Sequence, residues 1–311
     1  MISRRHRWMI VWAAAVFALA GPGAATPRAE PTNSFVVATY NVENWLSMSR
    51  RGHDNQPKPS SQREIVWHVL ETVRADVLAL EEIGTRDDLA SLAEGLRQRG
   101  LEYPWSEWIE DADHVRHIAL LSRFPIVERH SRTNDTYQIH GSPLRIQRGI
   151  IDVTVEVNPH YRFRALVAHL KSKRPADQED ESAMRQQEAR LLREHVDRLL
   201  RDHPRLNLLV LGDFNDTPAS APVREVVGGD SFRLFDLKAV DRRGYTDTHY
   251  WWRGREFSRI DYLLASPGMS NEFVVGSARL ADLPHWLRGS DHRAVHARFY
   301  DCDLDPPDRK E

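Results

Sequence analysis

Residues 208–216 read Leu-Leu-Val-Leu-Gly-Asp-Phe-Asn-Asp, and this run constrains the fold more than any other segment. Four consecutive aliphatics read as a buried strand. The run stops at Gly212, and Asp213 and Asn215 then follow two apart. On extended backbone, residues i and i+2 share a face. The strand therefore presents a carboxylate and a carboxamide at its mouth. A hard cation carrying a phosphate, or a water awaiting activation, suits such a pair. An Asx-rich turn after a strand is the plainer reading.

The same texture runs along the chain. Strand patterns cover Phe35–Tyr40, Asp76–Leu80, Ile118–Leu121, Leu206–Leu211, Arg259–Leu264 and Ala294–Tyr300. Gly149–Val157 and Arg162–Leu170 read as a hairpin closed at Asn158-Pro159. Helical periodicity covers Ser61–Arg74, opened by a Ser61/Glu64 capping box, then Asp87–Gln98 and Glu179–Asp202. No repeat or domain linker interrupts residues 34–301, which are expected to form one domain, with 302–311 as a tail. Many strands with few helices predict an α/β layered sandwich, its sheets packed together and its helices outside.

Composition narrows the setting. Arg4, Arg5 and Arg7 precede an apolar run over Trp8–Ala20, then Gly23, Ala24 and Ala25. That is the layout of a secretory signal peptide over residues 1–26, predicting a periplasmic or secreted protein. An uncleaved anchor is the alternative. The formal net charge of −2 becomes −5 without the three leader arginines, so no global basic field is present. Locally, residues 145–174 carry seven Arg or Lys against two acids. With Cys302 as the sole cysteine, no intrachain disulfide can form.

Other strand patterns also end in polar groups. Val36–Tyr40 leads to Asn41 and Glu43, Val77–Leu80 to Glu81-Glu82, and Phe163–Ala168 to His169 and Lys171. Asp261 follows Ile260 within an apolar strand, and Gly289-Ser290-Asp291-His292 precedes the last strand. Singly, each reads as a solvated acid, a structural histidine or a salt-bridge partner. Together they converge where strand ends build sites. Carboxylates and amides without cysteine favour Mg²⁺, Mn²⁺ or Ca²⁺ over Zn²⁺. Two isolated histidines suit acid and base roles. The combination points to phosphate-ester hydrolysis.

In order and spacing, these segments resemble the endonuclease/exonuclease/phosphatase, or DNase I-like, superfamily over about residues 34–300. The matching pieces are Thr39-Tyr40-Asn41-Val42-Glu43, Leu78–Ile83, Ala119–Ile126, Val167–Lys171, Gly212–Asn215, Ser258–Tyr262 and Ser290-Asp291-His292. The resemblance implies a four-layered αββα sandwich of two mixed, mainly antiparallel sheets with outer helices, and a Mg²⁺-dependent phosphodiesterase, with Mn²⁺ or Ca²⁺ as alternatives. It implies that Asn41 and Glu82 bind the metal, that Asp291 touches a metal and that Glu43 assists nearby. It assigns Asp213 and Asn215 to the attacking water and the phosphate. His292 becomes the base or phosphate-polarising group, oriented by Asp261, and His169 stabilises the phosphorane or protonates the leaving oxygen. Where the commonest family form is Gln-Glu, this chain has Glu81-Glu82; the extra acid could bind a second cation, but Glu81 is expected to face solvent.

Arg116, Arg148 and Lys171 are candidate phosphate contacts, with surface salt bridges as the alternative. Tyr250, Trp251 and Trp252 could stack bases, pack as core or rest on a lipid surface. Nucleic acid is the expected substrate, with phospholipid or a small phosphoester as alternatives. A monomer without an obligate protein partner is expected. A non-catalytic binding protein on this fold would be signalled by loss of Glu82, Asp213, Asn215 or His292, and all four are present.

Overall fold

The computed structural model describes residues 33–173, 178–229 and 232–304. The leader expected over 1–26, Arg174 and most of the 302–311 tail lie outside them. In chain order the first elements are β1 (Ser34–Trp45), β2 (Met48–Arg50), β3 (His53–Gln56), α1 (Ser60–Val73), β4 (Val77–Ile83) and α2 (Arg86–Arg97). Next come β5 (Trp105–Ile109), β6 (His117–Ser122), β7 (Ile126–Arg129), β8 (Thr136–Ile139), β9 (Ser142–Arg145), β10 (Ile150–Asn158) and β11 (Tyr161–Ala168). The remainder comprises α3 (Gln178–Asp202), β12 (Leu208–Asp213), α4 (Ala221–Val227), β13 (Phe235–Asp236), β14 (His249–Trp251), β15 (Glu256–Ser258), β16 (Asp261–Ala265), β17 (Arg279–Leu280) and β18 (Val295–Tyr300).

Two six-stranded sheets form the body, ordered β17-β18-β1-β4-β6-β5 and β13-β16-β12-β11-β10-β7. Each is mixed and mainly antiparallel, with one parallel pair apiece, β1·β4 and β11·β12. Strand periodicity explains the layers. Alternate residues of β1 and β4, such as Val37, Val77 and Ala79, join Phe163, Val167, Leu209 and Leu263 of the other sheet in one central core. The intervening residues, such as Ala38, Leu78 and Leu80, pack on Val66, Leu70, Leu92 and Leu96 of α1 and α2. In the second sheet, Leu166, Val210 and Leu264 pack on Leu192, Val196 and Val223 of α3 and α4. Strands buried on both faces require continuous apolar runs, as 208–211 has. Phe35 stacks on Phe163 across the sheets at 5.3 Å, and truncating such a buried ring costs about 3–5 kcal/mol.

The expected αββα sandwich is therefore the observed one. The 149–170 hairpin forms as expected, as β10 and β11, with Asn158 opposite Tyr161. The Ser61/Glu64 capping box does not form. Helix α1 starts one residue earlier, with Pro59 at its N-cap and no side-chain cap, and Glu64 reaches across to Arg99 instead. A capping box does close α2, between Thr85 and Asp88. Among the described residues, no helix is long and apolar enough to cross a membrane.

Candidate active site

Core positions turn polar together at one end of the central layer. Counting by twos, Phe35 and Val37 give way to Thr39 and Asn41 on β1, and Val77 and Ala79 to Glu81 on β4. Ala165 and Val167 lead to His169 past β11, Leu209 and Leu211 to Asp213 on β12, and Leu263 to Asp261 on β16. The site is thus the polar end of the inter-sheet core. Gly212 permits the convergence. At φ 133° it passes so close to β11 that a Cβ would sit 2.0 Å from the Ala168 carbonyl oxygen.

His292 enters from the loop before β18. Ser290 Oγ donates to the Asn41 carbonyl at 2.7 Å and accepts the His292 N–H at 3.0 Å. His292 Nδ1 faces both Asp261 carboxylate oxygens, at 3.0 and 3.1 Å. Its Nε2 lies 3.7 Å from Asp213 Oδ2. Asn41 Nδ2 donates to that same oxygen at 3.1 Å, and His169 Nε2 lies 3.4 Å from it. Thr248 Oγ1 accepts the N–H groups of Ile260 and Asp261, fixing the Asp261 backbone.

Burial sets the electrostatics. It pushes Asp213 up to about 7, opposed by His292 and reinforced by Asp261. Burial also disfavours the His292 charge, but Asp261 and Asp213 outweigh it and hold the imidazole well above its usual range. The result is an imidazolium between two carboxylates. His169 goes the other way: burial and the Arg148 charge hold it well below its ordinary value, so the ring is neutral.

The Asp213–Asn215 pair forms differently from the extended i/i+2 geometry. The strand ends at Asp213, Phe214 turns into the outer core, and Asn215 adopts φ 54°. The Asn215 N–H then bonds Asp213 Oδ1 at 2.8 Å and its Nδ2 bonds the Leu170 carbonyl at 2.9 Å. The Asx turn is real, and it is what steadies the Asp213 carboxylate.

A bulge separates Glu81 from Glu82. Register slips between Glu81 and Ile83 against β6, and Glu82 takes φ 63°. Glu82 is thereby turned to the cleft rim, where it accepts the Asn44 N–H at 2.9 Å beside Arg116 Nε at 3.8 Å. Glu81 stays in register and points into the core, contrary to the expected solvent exposure. It is fully buried, accepts a 2.6 Å hydrogen bond from Thr39 Oγ1, and is pushed well above the usual carboxylate range by burial. A protonated acid there has the shape and neutrality of a glutamine.

Glu43, Glu82 and Asp291 line the same cleft. Burial and Asp291 raise Glu43 to about 7, although Lys58 lies 3.8 Å away. Burial and Glu82 raise Asp291. Glu43 and Asp291, which resist ionising, stand with Glu82 in a rim that a hard dication would relieve. Closer groups of would-be ligands are His249–Asp291–His292 and Asp213–Asp261–His292, and neither includes Glu82. His249 escapes a reading of the sequence because it opens a short two-stranded hairpin rather than following a buried strand.

The phosphate-contact candidates fare unequally. Arg116 stands at the rim, donating to Asn44 Oδ1 at 2.8 Å. Arg148 is buried instead. It pairs with Asp113 at 3.3 Å and donates to the Leu170 carbonyl at 3.3 Å, so it braces the His169 loop from below. Lys171 pairs with Glu181 at 3.6 Å. Over its described residues, 145–173, the basic stretch is not a patch. Arg145 pairs with Asp111, Arg162 with Glu156, Arg164 with Asp152 and Lys173 with Asp216. The cleft above the site encloses about 1870 Å³, and Lys173, Trp251, Phe257 and Arg259 are among its walls.

A model of the endonuclease/exonuclease/phosphatase family matches residues 38–292. No curated protein matches the chain. Solved structures similar to it include truncated TDP2 of Caenorhabditis elegans (17% identity, 86% of this chain and 97% of that one, TM-score 0.58). The human Nocturnin catalytic domain with bound sulfate is similar as well (16%, 86% and 94%, TM-score 0.56). So is sphingomyelinase C of Streptomyces griseocarneus (17%, 86% and 100%, TM-score 0.56). At these identities the likeness is one of fold.

Proposed function

The chain belongs to the endonuclease/exonuclease/phosphatase family, and on that premise we propose that it is an exported, divalent-metal-dependent phosphodiesterase acting on DNA or RNA by in-line attack of water. The observation that carries this reading is the Asp261–His292–Asp213 relay at the floor of the cleft. Asp213, raised towards neutrality, takes the proton of the attacking water, and Asn215 beside it helps hold that water. Asp261 fixes the His292 ring, as carboxylates do for catalytic imidazoles. The His292 imidazolium then faces the non-bridging phosphate oxygens, where negative charge grows. His169, being neutral, serves as a hydrogen-bond donor to the phosphorane; the P–O bond opposite the water then breaks, and the leaving oxygen takes its proton from water in the open cleft. Asn41, Glu82 and Asp291, with Glu43 beside them, would hold the metal. When bound, that ion supplies Lewis-acid charge at the phosphate. Arg116 adds one positive charge at that acidic rim.

Two observations favour nucleic acid as the substrate. The cleft of about 1870 Å³ exceeds the roughly 300–1,000 Å³ typical of small-ligand pockets. Its wall also offers Trp251 and Phe257 for stacking. Phospholipid is the second reading. It draws on the exposed faces of Trp251, Trp252 and Phe257 and on the internal pairing of the 145–173 cations. One structure of similar fold is named a sphingomyelinase. The deciding experiment offers plasmid DNA, RNA and sphingomyelin vesicles to the purified protein with Mg²⁺, Mn²⁺ or Ca²⁺. Nicking of plasmid DNA or cleavage of RNA is expected. Cleavage of lipid alone would overturn the nucleic-acid assignment.

A further inference from the structure

A third imidazole borders the relay. The His249 ring lies 4.7 Å from the His292 ring, inclined at 47°. His249 Nε2 is 3.8 Å from Asp291 Oδ2, and His292 Nε2 is 3.8 Å from Asp291 Oδ1. One ligand atom from each of the three residues fits within 4.8 Å of the others. We propose that His249, Asp291 and His292 form a binding site for a borderline transition-metal dication, Zn²⁺ being the best-matched ion, and that filling it withdraws His292 from catalysis.

The donor set differs from the all-oxygen rim of Glu43, Glu82 and Asp291. Two imidazole nitrogens and one carboxylate suit Zn²⁺ or Co²⁺ and are poor partners for Mg²⁺. Both rings turn Nε2 towards the Asp291 carboxylate. His292 Nδ1 is tied to Asp261, so Nε2 is the nitrogen left to meet an ion, giving up its proton as it does so. His249 Nδ1 faces Ser258 Oγ at 3.4 Å, so its Nε2 is likewise directed to Asp291. A carboxylate behind a ligating imidazole is a usual outer support of such sites, and the Ser258 hydroxyl stands in that place behind His249.

The frame is built from backbone. His249 bridges His292 as an antiparallel pair. The Tyr250 N–H bonds the Asp291 carbonyl at 2.9 Å, and the Arg293 N–H bonds the Thr248 carbonyl at 2.7 Å. Ligand atoms on a tetrahedral ion with ~2.0–2.1 Å bonds stand about 3.3 Å apart. The three ligand atoms, within 4.8 Å of one another, must close by up to about 1.5 Å, which side-chain rotation supplies. All three residues line the cleft, which leaves a face of the ion open to water. Binding displaces the proton that His292 otherwise carries. Because Asp291 is shared, the ion also competes with the oxygen-donor rim. The site stands on geometry alone, whereas the inhibition rests on the role proposed for His292 in hydrolysis.

The test monitors visible absorption as Co²⁺ is titrated into the EDTA-treated full-length protein. Wild type is expected to develop the bands of nitrogen-ligated Co²⁺, which equimolar Zn²⁺ erases and excess Mg²⁺ does not. His249→Ala and His249→Phe, the second keeping the ring packing, should weaken Co²⁺ at least about 10-fold. Glu82→Ala should leave the bands in place. Zn²⁺ should inhibit bis-p-nitrophenyl phosphate hydrolysis by wild type more strongly than by His249→Phe. Undiminished Co²⁺ binding in His249→Phe, or loss of the bands in Glu82→Ala only, would overturn the site. Bands lost in the His249 variants without Zn²⁺ inhibition of wild type would uphold the site and overturn its link to catalysis. A protein that cleaves no phosphodiester still reports on the site through its spectrum, so failure of the functional reading is seen separately.

Discussion

Asp261 meets His292 with both carboxylate oxygens at once, 3.0 and 3.1 Å from Nδ1, and both side chains are shut away from solvent. A buried pair of this kind fixes ring, tautomer and charge together. It also makes the remaining nitrogen, Nε2, the only part of His292 that can address the cleft.

Activity is therefore expected to follow a bell-shaped pH profile. It should rise as Asp213, lifted to about 7 by burial, loses its proton, and fall once the raised His292 loses its own. Asp261→Asn removes the acceptor behind His292, so kcat should drop about 10²–10⁴-fold and the falling limb should move to lower pH. An unchanged profile in Asp261→Asn would refute the relay.

Glu81 behaves as a neutral group in the core beneath the site. Glu81→Gln should keep the fold and retain activity within a few-fold. Glu81→Ala strands the Thr39 hydroxyl and leaves a void, at a cost of about 1–3 kcal/mol. Urea unfolding of both variants checks this, and a Gln variant as damaged as the Ala variant would contradict it.

Stability should also carry a pH signature from Glu272, far from the catalytic residues. Burial lifts its carboxyl from 4.5 to about 7, partly offset by the Leu304 N–H at 2.9 Å. The folded chain holds that proton more tightly than the unfolded chain. Its contribution is therefore fully present below about pH 4.5 and is lost as pH rises towards 7. Glu272→Gln should gain Tm over wild type at pH 8 and show no gain at pH 4. Equal differences at both pH values would count against the assignment.

The aromatic wall should matter for polymers more than for small esters. Alanine at Trp251 or Phe257 is expected to cost about 1–3 kcal/mol in kcat/KM on single-stranded DNA. The same variants should lose less on bis-p-nitrophenyl phosphate. Equal losses on both substrates would place these rings in the support of the fold rather than in substrate contact.

Much of this site is legible from residues 208–216 and their counterparts, because strands buried on both faces announce themselves by continuous apolar runs, as Leu208–Leu211 does. The polar residues that end such runs lie at a sheet end, which is why Asp213, Asp261 and His169 stand out. Glu81 misleads because a bulge at Glu82 decides which neighbour faces the core, and a bulge leaves no mark in hydropathy. Over its described residues, 145–173, the basic stretch misleads because its cations are paired, Arg162 and Arg164 with acids inside the stretch and others with acids distant in sequence. Arg145 and Asp111 are 34 residues apart, and Arg148 pairs with Asp113. His249 is invisible because its value comes only from the bridge that sets it against His292.

The most direct test of the proposed chemistry is the hydrolysis of bis-p-nitrophenyl phosphate by wild type and His292→Ala, each with Mg²⁺ and with EDTA. Turnover is predicted for wild type with Mg²⁺, loss of it in EDTA, and a rate at least about 10²-fold lower in His292→Ala at unchanged Tm. Hydrolysis that survives EDTA, or that persists undiminished in a folded His292→Ala protein, would contradict that chemistry.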